Sequence, residues 1–377
     1  MKKAIKHPLK HQWSLGHNYM AGITFGHWLR LLAENKFQIS PAYLHRVAFI
    51  TLASLSNSGF AAYENLRYKR KIEQTKLSQD PLFVLGHWRS GTTLLHDLLA
   101  QDVEQFSFAN TYQVVNPLTF LTTEKTTTKL LAGLLPSTRP MDNMALKFSS
   151  PQEDEFAPLL MSLLSVYMGI SFPKNTEHYE KYLSFKQASA SERERWSKAF
   201  LFFCKKLSLS DNSKSLLLKS PPHTARIKMI LDIFPKARFV HIHRDPHRVF
   251  KSQQHFFDTA CWYTYLQRPD LDVIDEGILT RYNSMFDAFF EDVKLIPKGQ
   301  FHEIRFEDLE RNPITEMEKT YSSLNLNNFG RFKPKLQSYV ESLSGYQKNA
   351  FKPTNDAVRE LVAYRWARNF EKWGYEK

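Results

Sequence analysis

From residue 80 onward the chain alternates short apolar runs with helical periodicities. Leu82-Phe83-Val84-Leu85 is continuous and is closed by Gly86, as a strand buried on both faces should be. Similar runs recur at Leu216-Leu217-Leu218, at Arg238-Phe239-Val240-His241-Ile242 and at Phe301-His302-Glu303-Ile304-Arg305-Phe306. Between them, Thr92 to Ala100, Ser191 to Leu207 and Thr224 to Phe234 read as helices, the second with Trp196, Phe200, Phe203 and Leu207 on one face. Asp245-Pro246 opens another, with Asp as N-cap and Pro in the first turn, reaching about Phe257. Four strands separated by helices predict an α/β fold in which a parallel sheet is flanked by helices.

Three segments follow. Residues 1–78 read as an N-terminal helical extension, 79–350 as the α/β domain with a helical insertion at 101–210, and 351–377 as a C-terminal helical tail. Val47 to Ala62 and Phe156 to Phe172 are apolar but broken by serines, Asn57, Gly59 and Pro158, short of the roughly 20 clean residues a membrane span needs. They are read as packed helices of the fold. The alternative is surface attachment, which the basic run Tyr68-Lys69-Arg70-Lys71 beside the first would favour.

Composition narrows the class. With 42% hydrophobic residues the chain can bury a core, which excludes a disordered protein. Its 51 Lys+Arg against 38 Asp+Glu leave +13, a preference for anions that nucleic acid, an acidic membrane surface or a polyanionic nucleotide would all satisfy. Cys204 and Cys261 are the only cysteines, so there is no disulfide framework and no four-cysteine zinc site. A reducing, cytoplasmic compartment is expected, since no signal-peptide core follows the basic N-terminus. His241 and His243 share a strand face but lack a third ligand at diagnostic spacing, so they read as structural and no metal is expected.

The segment Gly86-His87-Trp88-Arg89-Ser90-Gly91-Thr92-Thr93 lies between an apolar strand and a helix, the position of phosphate-binding loops. Gly86 and Gly91 keep the spacing of G-x-x-x-x-G-K-[ST], but Thr92 stands where the lysine would be, and the cation sits inside the loop as Arg89. A nucleotide with one anionic group beyond its first phosphate suits this better than a triphosphate with Mg²⁺. R-S-G-T-T after a strand resembles the 5'-phosphosulfate loop of sulfotransferases that use 3'-phosphoadenosine 5'-phosphosulfate (PAPS). The likeness extends to Arg244 at the end of a strand and Ser252 eight residues later, matching the family's 3'-phosphate ligands. Leu216-Leu217-Leu218-Lys219-Ser220-Pro221-Pro222-His223 resembles the family strand whose end carries a Lys near the transferred group. Phe306-Glu307-Asp308-Leu309 with Asn312-Pro313 resembles its late strand and acidic turn, and Gly345-Tyr346-Gln347-Lys348-Asn349 its closing segment. An Arg-Lys-Gly triplet of animal cytosolic members is absent, and Lys348 is read as its substitute. The pattern is closest to the bacterial group written R-S-G-T-T-L-L with L-K-S-P-P-H.

The resemblance implies in-line sulfuryl transfer from PAPS to a hydroxyl or amine without a metal. Donor binding would fall to Arg89, Ser90, Gly91, Thr92, Thr93, Arg244, Ser252 and Lys348, with Arg89 and Lys219 as the fixed cations of catalysis. Two groups stand equally as the base. His223 lies four residues past Lys219 and is of the residue type that most often serves as a base, and Glu155 heads an apolar run. Glu153 stands behind both, because Ser150 and Glu153 have capping-box spacing. The aromatic and aliphatic residues of 101–210 favour a lipid-like or amphiphilic small-molecule acceptor over a sugar. A P-loop nucleotide kinase is the enzymatic rival, and it would need Lys at 92. A basic protein of nucleic acid or membrane surfaces is the other, but the cations are scattered rather than concentrated, so no nucleic-acid partner is expected.

Overall fold

The computed structural model describes residues 8–78, 80–131, 138, 141, 144, 147–211, 214–345 and 355–377. Five parallel strands are present among them: β1 Leu82–Leu85, β2 Phe106–Phe108, β3 Ser215–Lys219, β4 Arg238–His243 and β5 Phe301–Arg305, in the order β2-β3-β1-β4-β5. Four are the apolar runs of the sequence. The fifth, β2, lies within 101–210, a stretch read as helical. Three residues are too few to show a period, and β2 is an edge strand held by its ladder to β3.

Alternate residues of each strand feed two cores, as strand geometry requires. Phe83, Leu85, Leu216, Leu218 and Phe239 face one layer, where the helices Ala190–Ser210 and Ile274–Asp292 contribute Trp196, Phe200, Phe203, Tyr282 and Phe286. Leu82, Val84, Leu217, Val240 and Ile304 face the other, under Leu95, Leu98, Met317, Tyr321 and Phe332. Both faces are therefore covered, which is why β1 and the Leu216-Leu217-Leu218 run of β3 are continuously apolar, while the edge strand β5 is only partly buried.

The N-terminal helices bury their apolar side in the first core through Trp28, Leu31 and Ile50. Buried Arg46 donates to the carbonyls of His11, Ser14, Trp262 and Tyr265, and buried Lys206 pairs with Glu64, so helix Leu44–Gln74 is fixed at two points. Near the C-terminus Trp366 stacks on Tyr282 at 3.6 Å and Trp373 on His243 at 4.7 Å. Val47 to Ala62 falls inside helix Leu44–Gln74, and the stretch from Phe156 contains the short helices Phe156–Ser162 and Met168–Ser171. Among the described residues no helix is long and apolar enough to cross a membrane.

Candidate active site

The site gathers at the carboxyl ends of β1, β3 and β4. Strand order reverses around β1, whose chain neighbours in sequence lie on one side of it and β4 on the other, and α/β sheets bind ligands at such a point. The loop leaving β1 is fitted to its surroundings. Gly91, at φ +101°, precedes helix Thr92–Leu99, and a Cβ there would lie 2.2 Å from the Phe306 ring. A Cβ on Gly86 would lie 2.6 Å from the Ile242 carbonyl and 2.8 Å from Ser90 Oγ. Ser90 Oγ donates to the His87 carbonyl at 2.7 Å, and the Gly86 amide donates to Thr224 Oγ1 at 2.8 Å. Burial pulls His87 down to about 3, so the ring beneath the loop is neutral.

The second cradle adjoins the first. β1 and β4 are paired, with Leu85 opposite His241, so Arg244 emerges beside the loop. Asp245 caps the next helix, Pro246–Thr259, by accepting from the His247 amide at 2.8 Å, as the Asp-Pro pair predicts, and this helix presents Ser252. Arg89 Nε donates to Ser252 Oγ at 3.0 Å, and the Arg244 guanidinium lies 3.4 Å from the Arg89 carbonyl and 4.0 Å from the centre of the Phe306 ring. Among the described residues Arg244 Nε finds no hydrogen-bond acceptor, and burial lowers the pKa of this guanidinium from its ordinary value. A desolvated cation with an unused donor, next to a second cation, is an environment that an anion would complete. Tyr346 to Asn349, and Lys348 with them, lie outside the described residues.

The acidic turn Glu153-Asp154-Glu155 is held by the residues after β3. Lys219 Nζ donates to Glu153 Oε1 at 3.2 Å, His223 Nε2 meets Asp154 Oδ2 at 2.6 Å, and Arg226 binds Glu155 at 2.6 and 2.9 Å. Ser220 Oγ accepts from the Glu155 amide at 2.9 Å. The L-K-S-P-P-H segment thus positions three consecutive acids. The surroundings of the candidate bases differ. His223 and Glu155 are both 0% exposed, His223 among Phe83, Phe200 and Trp196, and Glu155 between Arg226 and the Ser165 hydroxyl. Neither lines the large cavity beside the loop. The capping box of Ser150 and Glu153 is also absent, since the helix starts at Phe156 and Glu153 turns away from it.

Glu153 is the acid that faces open space. With Trp88, Arg89, Thr92, Thr93, Tyr167 and Pro221 it lines a cavity of about 960 Å³. Its second oxygen accepts from the Tyr167 hydroxyl, which in turn accepts from Trp88 Nε1 at 2.7 Å. Burial, then the Glu153 carboxylate, holds the Tyr167 phenol well above its ordinary range, so it stays a donor. The lining also includes Phe49, Phe60, Tyr112, Val114, Phe148, Ile170 and Phe256, with Phe156 stacked on Tyr167 at 5.3 Å. Tyr167 and the N-terminal residues carried no sequence signal, because only the fold brings them to the loop.

The two buried acids and Glu153 are separable by experiment. Glu155→Gln removes one partner of a buried ion pair, expected to cost about 3–5 kcal/mol in urea unfolding. The molecules that remain folded should turn over at close to the unaltered rate. A normal melt with turnover abolished would instead place Glu155 in the chemistry.

His241 and His243 are engaged in packing, His241 at 2.9 Å from Glu303 and stacked on Phe289, His243 on Trp373. Among the described residues no three metal-ligating side chains come together.

Comparisons with known proteins agree with this architecture. Two solved mycobacterial sulfotransferases share the fold: STF9 from Mycobacterium avium, at 18% identity with a TM-score of 0.69 over 93% of this chain and 92% of that one, and STF1 from Mycobacterium tuberculosis H37Rv, at 15% identity with 0.64 over 95% and 94%. An omega-hydroxy-beta-dihydromenaquinone-9 sulfotransferase, Stf3, of Mycobacterium bovis is 32% identical over 356 residues, 94% of this chain and 91% of its own. Residues 81–329 match the sulfotransferase family, from just before β1 to beyond β5, and so take in the loop after β1, Arg244, Ser252 and the acidic turn. The chain belongs to the sulfotransferase family and is an enzyme of sulfuryl transfer.

Proposed function

We propose that the enzyme moves the sulfuryl group of PAPS to the hydroxyl of a long apolar alcohol, with Glu153 as general base. One observation carries this reading: the loop residues Arg89, Thr92 and Thr93 and the carboxylate Glu153 line one cavity whose walls are mainly apolar. A hydroxyl beside Glu153 would meet a base and the donor loop, while its hydrocarbon would occupy the apolar space. The relative from Mycobacterium bovis is named for an omega-hydroxylated menaquinone derivative, which is the same type of acceptor.

The residues present suit PAPS. The amides and hydroxyls of Ser90, Gly91, Thr92 and Thr93 would hold the 5' phosphosulfate, with Arg89 as their cation, while Arg244, with its unused Nε, and Ser252 would hold the 3'-phosphate. Lys348 is kept as a further 3'-phosphate ligand on its sequence position alone. When bound, the donor supplies an activated sulfuryl group and a phosphate leaving group. Glu153 would take the acceptor proton at Oε1 or Oε2. Tyr167 and Lys219 fix that carboxylate, and Lys219 and Arg89 offset negative charge developing nearby. Two buried free thiols, Cys204 and Cys261, agree with a cytoplasmic enzyme.

Calorimetry with adenosine 3',5'-bisphosphate in chelator should show tight one-site binding, and a sulfation assay should accept isoprenoid or long-chain alcohols. Binding that requires Mg²⁺ would return the kinase rival. Turnover of hydrophilic sugars and not of apolar alcohols would overturn the acceptor reading.

A further inference from the structure

Helix Leu44–Gln74 buries Arg46, Ile50, Ser54, Glu64 and Ile72 and leaves another face to solvent. On that face Phe49, Leu52 and Leu55 are each followed eleven residues later, three turns on, by Phe60, Tyr63 and Leu66. The six side chains form one apolar stripe, with Leu52 70% and Leu66 87% exposed. Trp13, 76% exposed, packs on His45 near its start. An exposed band of this extent has no role in either core and marks a contact surface.

Two further observations say what covers it. The stripe runs into cations: Arg70 is eighteen residues, five turns, beyond Leu52 on the same line, with Arg67, Lys69 and Lys71 around it. All four are exposed, while the only exposed acid of the helix is Glu73. Helix Phe120–Leu131, joined to this one where the Thr122 amide donates to Glu64 at 3.0 Å, adds exposed Lys125, Lys129 and Leu130. The stripe is also continuous with the cavity. Exposed Leu15, Phe49 and Phe60 line it together with Ala53 and Asn57, so the cavity opens on this face.

We propose that this face lies in the headgroup region of an anionic lipid bilayer, and that the apolar alcohol passes from the bilayer into the cavity between Leu15, Phe49 and Phe60. The lipid passage rests on the acceptor reading above. The docking itself does not. Apolar side chains enter the acyl boundary while Arg67, Lys69, Arg70 and Lys71 meet lipid phosphates, the division of labour of an interfacial helix.

Co-sedimentation of the full chain with phosphatidylglycerol vesicles tests it, with pure phosphatidylcholine vesicles as control. The protein is expected to bind the anionic vesicles and to leave them as NaCl rises. The double variants L52E/L66E and R67E/R70E are each expected to lower vesicle affinity by about tenfold or more. Both should keep the circular dichroism and the turnover of a short water-soluble alcohol, and both should lose turnover of an isoprenoid alcohol embedded in vesicles. Absence of vesicle binding, or binding undiminished in both variants, overturns the proposal. So does a wild-type dimer that L52E/L66E dissociates without change in vesicle binding, since a second copy would then cover the face. Turnover of the short alcohol without vesicle binding overturns the docking alone. Vesicle binding with no alcohol turned over leaves the docking standing and overturns the acceptor reading.

Discussion

Glu153→Gln should lower turnover by about 10²–10⁴ while adenosine 3',5'-bisphosphate binds as before, the loss that removing a general base produces. That range corresponds to about 3–5 kcal/mol of transition-state stabilisation. Gln keeps the shape of the side chain and one oxygen, which can accept from Tyr167 or from Lys219 but not from both, so a thermal melt run in parallel separates loss of fold from loss of the base. The proton acceptor is what disappears. Lys219 loses its carboxylate partner, so affinity for adenosine 3',5'-bisphosphate is measured alongside turnover. Single-turnover measurements at saturating donor separate the chemical step from binding. Retained turnover would mean that another group takes the proton, and Glu153 would then serve only to orient Lys219.

That prediction depends on information the chain does not carry locally. The donor loop is legible because a glycine-spaced segment between an apolar strand and a helix is a local pattern, and Arg244 with Ser252 is another. Each is set within about ten residues. The base is different. Three adjacent acids, Glu153, Asp154 and Glu155, look alike in sequence, and their roles are decided by Lys219, His223 and Arg226, more than sixty residues away. A lone Arg at a helix start, such as Arg226, reads in sequence as solvated surface. In the fold it is 1% exposed and neutralises Glu155, the acid at the head of the apolar run. The cavity was legible only as composition. Composition points to the aromatic residues of 101–210, yet Leu15 and, from helix Leu44–Gln74, Phe49, Ala53, Asn57 and Phe60 also line it. Helical periodicity marks which face of a helix is apolar, and it does not say whether that face meets a core, a ligand or a lipid.

Arg244→Ala should weaken adenosine 3',5'-bisphosphate by roughly 30–150-fold and leave adenosine 5'-phosphate within about threefold. The first figure follows from a charge-assisted contact of about 2–3 kcal/mol, at 1.4 kcal/mol per tenfold. Two features of the site place Arg244 at the upper end. Its Nε lacks an acceptor among the described residues, so a 3'-phosphate would gain a new bond without breaking an old one. Its desolvation, already present in the folded chain, is also a cost that the ligand need not bring. Ser252→Ala removes a neutral hydroxyl and should cost about fivefold on the same ligand. It also releases Arg89 Nε, so part of that loss should appear with adenosine 5'-phosphate. The comparison between the two nucleotides is decisive because they differ only in the 3'-phosphate. A loosened loop, a displaced Phe306 or a shifted helix Pro246–Thr259 would weaken both alike. Equal losses would therefore remove the 3'-phosphate from Arg244, and with it the reason to read the paired cradles as a site for PAPS rather than for a simple 5'-nucleotide.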